Sequence, residues 1–138
     1  MIMALSHITL VVKDLEKAAV FFEQIFDARE VYSSGDRTFS LAREKFFLIG
    51  DLWICIMEGE SLAKHSYNHI AFKIEESEMD DYTNRIRKVG VEIKPERPRI
   101  QGEGRSIYFY DFDNHLFELH TGTLEERLAS YEKTIDCT

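Results

Sequence analysis

The chain is short of several things, and each shortage narrows its function. Cysteine occurs only as Cys55 and Cys137 in 138 residues. These form no Cys-x-x-Cys pair and are too few for a disulfide framework, so a reducing compartment is expected and Cys55, inside an apolar run, reads as a buried thiol. No apolar run approaches the roughly 20 residues a membrane span needs. The first six residues are too short for a signal peptide, so a cytoplasmic protein with no membrane partner is expected. Positive charge is scarce: 17 Lys and Arg stand against 25 Asp and Glu, a net charge of -8. Broad contact with nucleic acid is therefore unfavourable, and any anion must meet a local basic pocket. Low-complexity segments are also missing. What is present is 44% apolar and 12% aromatic residues, enough for the core of one ordinary domain spanning 1–138.

Sliding the chain against itself by 62 positions lays Leu5-Ser6-His7-Ile8-Thr9-Leu10-Val11-Val12 over Tyr67-Asn68-His69-Ile70-Ala71-Phe72-Lys73-Ile74. As strands, these segments put Ile8, Leu10 and Val12, and likewise Ile70, Phe72 and Ile74, on a face that helices should cover, with both histidines on the opposite face. A helix follows each. The first has Asp14 as N-cap and a stripe of Leu15, Ala18, Ala19, Phe22, Ile25 and Phe26. In the second, Ser77 with Asp80 resembles a capping box, Met79, Tyr82, Ile86 and Val89 form the stripe, and Gly90 stands at the stop. Three further strands are expected in each half: Thr38–Leu41, Phe46–Ile49 and Leu52–Met57, then Val91–Lys94, Ser106–Tyr110 and Leu116–His120. The class is α+β, with βαβββ written twice (about 4–58 and about 66–122), a polar linker over Glu58–Ser66, and a last helix over Thr123–Tyr131.

The same offset links Ile56 with Glu118, so a pseudo-twofold would present four equivalent inward positions: His7, Ile56, His69 and Glu118. A lone strand histidine is more often a satisfied core or surface group, but here three good ligands fall on the repeat. Two imidazoles and a carboxylate suit a divalent ion such as Mn, Fe or Zn and leave coordination open for water or substrate, as a catalytic metal needs. His65, in the linker, and His115, in a turn, are poorer candidates. His120 shares the face of Glu118 and could support it from behind.

Pro95–Ser106 carries Arg97, Arg99 and Arg105 among glycines. Such a loop can fork guanidinium groups onto an anion, although composition alone favours an ordinary solvated loop. By the same plain standard Arg127 reads as a surface helix charge, and Glu44 as part of a charged hairpin turn.

Leu5–Leu10, Tyr67–Phe72 and above all Ser106-Ile107-Tyr108-Phe109-Tyr110-Asp111-Phe112-Asp113-Asn114-His115-Leu116-Phe117-Glu118-Leu119-His120-Thr121-Gly122 carry a specific resemblance. The chain resembles the vicinal oxygen chelate (glyoxalase/bleomycin resistance) superfamily and, within it, the fosfomycin resistance enzymes, most closely the FosX type that hydrates the drug to a vicinal diol. The resemblance implies that His7, His69 and Glu118 bind Mn²⁺ in a homodimer of exchanged modules, His7 coming from one chain and His69 with Glu118 from the other. It implies that Glu44 is the general base for water, a role that thiol-transferring relatives do not use. It also implies phosphonate contacts from Arg97, Tyr108 and Arg127, with Thr9 and Tyr67 lining the site. Arg99, Arg105 and Ser106 rank below these. The glutathione transferases of the group carry a serine-rich version of the Gly102–Ser106 turn that helps hold K⁺; glycine replaces one serine here, so no K⁺ activation is expected. The alternatives are a thiol transferase opening the same epoxide, a drug-sequestering protein of the same fold, and an extradiol dioxygenase, against which the basic loop argues.

Overall fold

The computed structural model describes residues 1–136, so Cys137 lies outside the described residues. The chain forms two compact units, residues 1–66 with 111–115, and residues 67–110 with those from 116 onward. The first unit runs β1 (His7–Val12), α1 (Leu15–Phe26), β2 (Arg29–Ser33), β3 (Glu44–Ile49) and β4 (Leu52–Glu58), in the sheet order β1-β4-β3-β2. β1 and β4 are parallel; the other pairs are antiparallel. Asp14 caps α1 by accepting from the Lys17 N–H, and Asp27 closes it with a φ of 53°. The α1 stripe buries against one face of the sheet, where Leu10, Val12, Phe47, Ile54 and Ile56 are buried and the Phe22 ring lies 6.2 Å from that of Phe47.

The second unit repeats the plan with β5 (His69–Lys73), a 3₁₀ turn at Glu76–Glu78, α2 (Met79–Val89), β6 (Ile93–Lys94), β7 (Ser106–Tyr110) and β8 (Leu116–His120), ordered β5-β8-β7-β6. It ends in α3 (Leu124–Asp136), which starts where Thr123 Oγ1 accepts from the Glu126 N–H and continues past the expected end at Tyr131. The doubled βαβββ plan and the inward apolar faces are as the sequence implies.

Three local expectations are corrected. The segment Thr38–Leu41 is irregular, and the edge strand is instead Arg29–Ser33, mostly exposed and bulged between Glu30 and Tyr32. A bulged edge strand facing water carries no apolar alternation to read. The capping box before α2 joins Glu75 and Glu78 rather than Ser77 and Asp80, because a 3₁₀ turn precedes the helix; Gly90 does close it, at φ 95°.

The third correction concerns register. Thr9 pairs with Cys55 across β1 and β4, whereas Ala71 pairs with Glu118 across β5 and β8. Phe46 opposes Cys55 just as Tyr108 opposes Glu118. The offset is therefore 62 through β3 and β7 but 63 in the last strands, because the turn between β7 and β8 holds one residue more than that between β3 and β4. The counterpart of Glu118 is Cys55, and Ile56 points into the buried face with Leu10. The longer turn is self-braced: the Asp111 carboxylate accepts from the Asp113 and His115 N–H groups and pairs with His115 Nδ1 at 2.7 Å. His115 serves the turn.

Candidate metal and substrate site

Alternation along β1 buries Leu10 and Val12 and so sends His7 and Thr9 to the other face, beside Trp53 and Cys55 of β4 and Glu44 and Phe46 of β3. The His7 ring centroid lies 4.2 Å from that of Trp53, and its Nδ1 lies 3.0 Å from Ser6 Oγ. Glu44 is no exposed turn residue. It opens β3 with only 8% of its surface exposed, because Ser34 Oγ accepts its N–H and draws the chain inward. Its Oε2 receives Ser40 Oγ at 3.4 Å and Cys55 Sγ at 3.5 Å. Burial, then the neighbouring Glu44 carboxylate, pushes the Cys55 thiol up to about 11, so it remains a proton donor.

In the second unit His69 Nδ1 lies 2.7 Å from the Tyr67 carbonyl, which can only accept. Nδ1 therefore carries a proton, and Nε2 lies 3.0 Å from Glu118 Oε1. Glu118 Oε2 accepts from Ser106 Oγ at 2.5 Å and Arg99 Nη2 at 3.3 Å. Behind it a chain continues from Ser106 Oγ to His120 Nδ1 (2.7 Å) and from His120 Nε2 to Arg127 Nη2 (3.3 Å). Burial works to raise the Glu118 carboxyl, but the Ser106 and Tyr108 hydroxyls with His120 and His69 hold it below the usual carboxylate range. Burial holds the His120 imidazole below its ordinary value against the pull of Glu118, with help from Arg99, Arg127 and Lys73. Tyr108, pushed up to about 12 by burial, Tyr67 and Glu118, accepts from Arg99 Nη2 at 3.0 Å and from Tyr67 O–H at 3.2 Å. A cavity of about 300 Å³ opens on this cluster, lined by His69, Ala71, Glu118, His120, Leu124 and Arg127.

The three loop arginines separate clearly. Arg99, ranked low from the sequence, has a side chain only 8% exposed, and its Nη1 is buried with no hydrogen-bond partner among the described residues. Arg97 is held by Glu103 at 2.9 Å and donates to the Pro98 carbonyl, with Tyr108 also nearby. Arg105 is exposed, 4.0 Å from Glu76. Irregular loops have no period, so spacing could not rank these residues. Two glycines fix the loop: a Cβ on Gly104, at φ +85°, would stand 2.7 Å from the Gly122 backbone nitrogen.

The donor set fits a divalent cation. An imidazole nitrogen and a carboxylate oxygen, both ordinary ligands of such ions, converge at 3.0 Å. Neither unit by itself gathers three His, Cys, Asp or Glu side chains around one point among the described residues. Nor is any helix among them long and apolar enough to cross a membrane.

Residues 4–119 match the Glyoxalase/Bleomycin resistance protein/Dioxygenase superfamily. The chain is 69% identical over 133 residues to the fosfomycin resistance protein FosX of Listeria monocytogenes serovar 1/2a, covering 96% of this chain and 100% of that one. The chain belongs to this superfamily, in its FosX branch. The fosfomycin resistance protein FosX of Mesorhizobium japonicum is 60% identical over 136 residues, covering 99% of this chain and 98% of that one. A crystal structure of a glutamate-to-glutamine variant of the Listeria monocytogenes protein, complexed with Mn(II) and 1S,2S-dihydroxypropylphosphonic acid, superposes with a TM-score of 0.88 at 66% identity, covering 95% of this chain and 99% of that one.

Proposed function

We propose that this protein adds water across the oxirane of fosfomycin to give a vicinal diol, with Mn²⁺ held by His7, His69 and Glu118. The observation that carries the reading is Glu44, a buried carboxylate on the sheet face of His7 whose two close partners are a hydroxyl and a thiol, neither of which neutralises it. The Listeria monocytogenes structure with Mn(II) and a dihydroxypropylphosphonic acid supports the same chemistry.

Glu44 takes a proton from water as the water oxygen bonds to the ring carbon attached to phosphorus. The carbon–oxygen bond of the ring breaks, and the released oxygen is protonated from solvent, so the product is substrate plus one water. The unpartnered Nη1 of Arg99 offers a donor to a phosphonate oxygen, the Tyr108 hydroxyl lies beside that guanidinium, and Arg127 lines the cavity at His69 and Glu118. Tyr67 hydrogen-bonds Tyr108, and Thr9 lies beside Cys55. Arg97, a phosphonate contact by resemblance, also donates within the loop to Glu103 and the Pro98 carbonyl. A bound divalent cation would supply a Lewis acid for the oxirane oxygen and positive charge for the phosphonate.

The working form is a homodimer of exchanged modules, as the resemblance implies, with His7 in one unit and His69 with Glu118 in the other. A cytoplasmic setting fits the free Cys55 thiol. K⁺ is expected to leave the rate unchanged, since the Arg97 guanidinium already neutralises Glu103 in the turn.

The test is phosphorus NMR of fosfomycin with Mn²⁺-reconstituted protein, with and without added thiol. Diol formation in water alone is expected; a thioether formed only with thiol would overturn hydration in favour of thiol transfer. Stoichiometric protection of the drug without turnover would identify a sequestering protein. Glu44→Gln should lose about 10² to 10⁴ in hydration rate while still binding Mn²⁺, because general-base catalysis contributes on that scale.

A further inference from the structure

We infer that Cys55 is a positioning residue for Glu44, its thiol holding the carboxylate by a hydrogen bond at the end of a row of side chains that crosses the first sheet from Thr9 on β1 through Cys55 on β4 to Glu44 on β3. The inference rests on Glu44 acting as the base. Each link is local. Thr9 and Cys55 are paired across the parallel strands, which sets the two side chains side by side on one face of the sheet. Cys55 Sγ donates to Glu44 Oε2 at 3.5 Å, and both side chains are buried, 3% and 8% exposed. A carboxylate oxygen can only accept, so the S–H is the donor of this contact.

The second unit supplies an internal comparison. Ser106 is the counterpart of Glu44 and Glu118 the counterpart of Cys55, and there too a small donor bonds a buried carboxylate across neighbouring strands, at 2.5 Å. The two sheets thus use one device with its ends exchanged: carboxylate on the last strand in the second unit, on the third strand in the first. The neighbours of Cys55 in sequence are Ile54 and Ile56, both fully buried and apolar. An apolar residue at 55 would satisfy packing equally well but would leave Glu44 Oε2 with the 3.4 Å Ser40 contact alone, and a buried carboxylate that loses one of its two donors is held less firmly. A base displaced by a fraction of an ångström loses rate without losing substrate affinity.

The experiment compares Cys55→Ala and Cys55→Ser in full-length, Mn²⁺-reconstituted protein. Cys55→Ala is expected to lower kcat for fosfomycin hydration about tenfold, with KM unchanged within about twofold, and Cys55→Ser to recover most of kcat because it restores a donor. Unchanged kcat in Cys55→Ala, or equal losses in Ala and Ser, would overturn the inference, the second result meaning that Cys55 only packs. An independent readout, which also decides the matter if Cys55→Ala fails to fold, is the infrared S–H stretch in a Cys137→Ser background. Glu44→Ala should shift that band to higher frequency by freeing the thiol, and an unshifted band counts against the row. An active Glu44→Gln would instead remove Glu44 as the base; an inactive Glu44→Gln beside an unaffected Cys55→Ala defeats only the role of Cys55.

Discussion

Glu118 faces two ways at once, with Oε1 against the His69 ring and Oε2 against Ser106 and Arg99. Arg99 thus neutralises that carboxylate through Nη2 while its buried Nη1 has no hydrogen-bond partner among the described residues, which under the proposed function leaves a donor for the phosphonate. Arg99→Met is expected to raise KM for fosfomycin by about tenfold or more, the scale of one lost charge-assisted hydrogen bond. Mn²⁺ affinity, measured by titration calorimetry, should not weaken, because the guanidinium shares Glu118 with any cation; a loss of Mn²⁺ binding with unchanged KM would contradict this. His69 and Glu118 were legible because each sits in a strand with a readable period. Arg99 was not, lying in a loop where nothing but folding decides which of three guanidinium groups turns inward. A constant offset of 62 points to Ile56, and only the unequal turn lengths, which no residue type announces, move the counterpart of Glu118 to Cys55.

At the scale of elements, the loop before β7 is tied down by α3. Glu103, only 2% exposed, accepts from Arg97, from the Tyr131 hydroxyl at 2.6 Å and from the Ile100 N–H, while Ser130 Oγ bonds the Gln101 carbonyl. Arg97, Tyr131 and that N–H pull the Glu103 carboxyl down to about 2 from an ordinary 4.5. A carboxyl depressed by folding stabilises the fold above its unfolded value, and that contribution is lost as pH falls through 4.5 toward about 2. Glu103→Gln should flatten this part of the acid-unfolding curve, followed by thermal melts across the same window; an unaltered pH slope would show that the contact is not linked to folding. Both capped helices and the inner strands were readable because burial imposes a period. β2 and the inward turn of Glu44 were not, since the first is an edge strand facing water and the second depends on Ser34, ten residues back.

For the whole molecule, the decisive question is which chain completes which site. His7→Ala and Glu118→Gln should each be inactive alone. If modules are exchanged, a one-to-one mixture allowed to trade subunits forms heterodimers in half the pairings, each with one intact site, and recovers about a quarter of native activity. No recovery would mean that each chain completes its own site. The doubled fold also constrains redesign. Since the extra residue of the second half sits in a hairpin turn, a builder wishing to copy the cation-binding carboxylate into the first half would have to write it at position 55; one place further on, the acid would be driven under α1 into the oily interior where Ile56 has no exposure at all, and the domain would unravel before it gained a ligand.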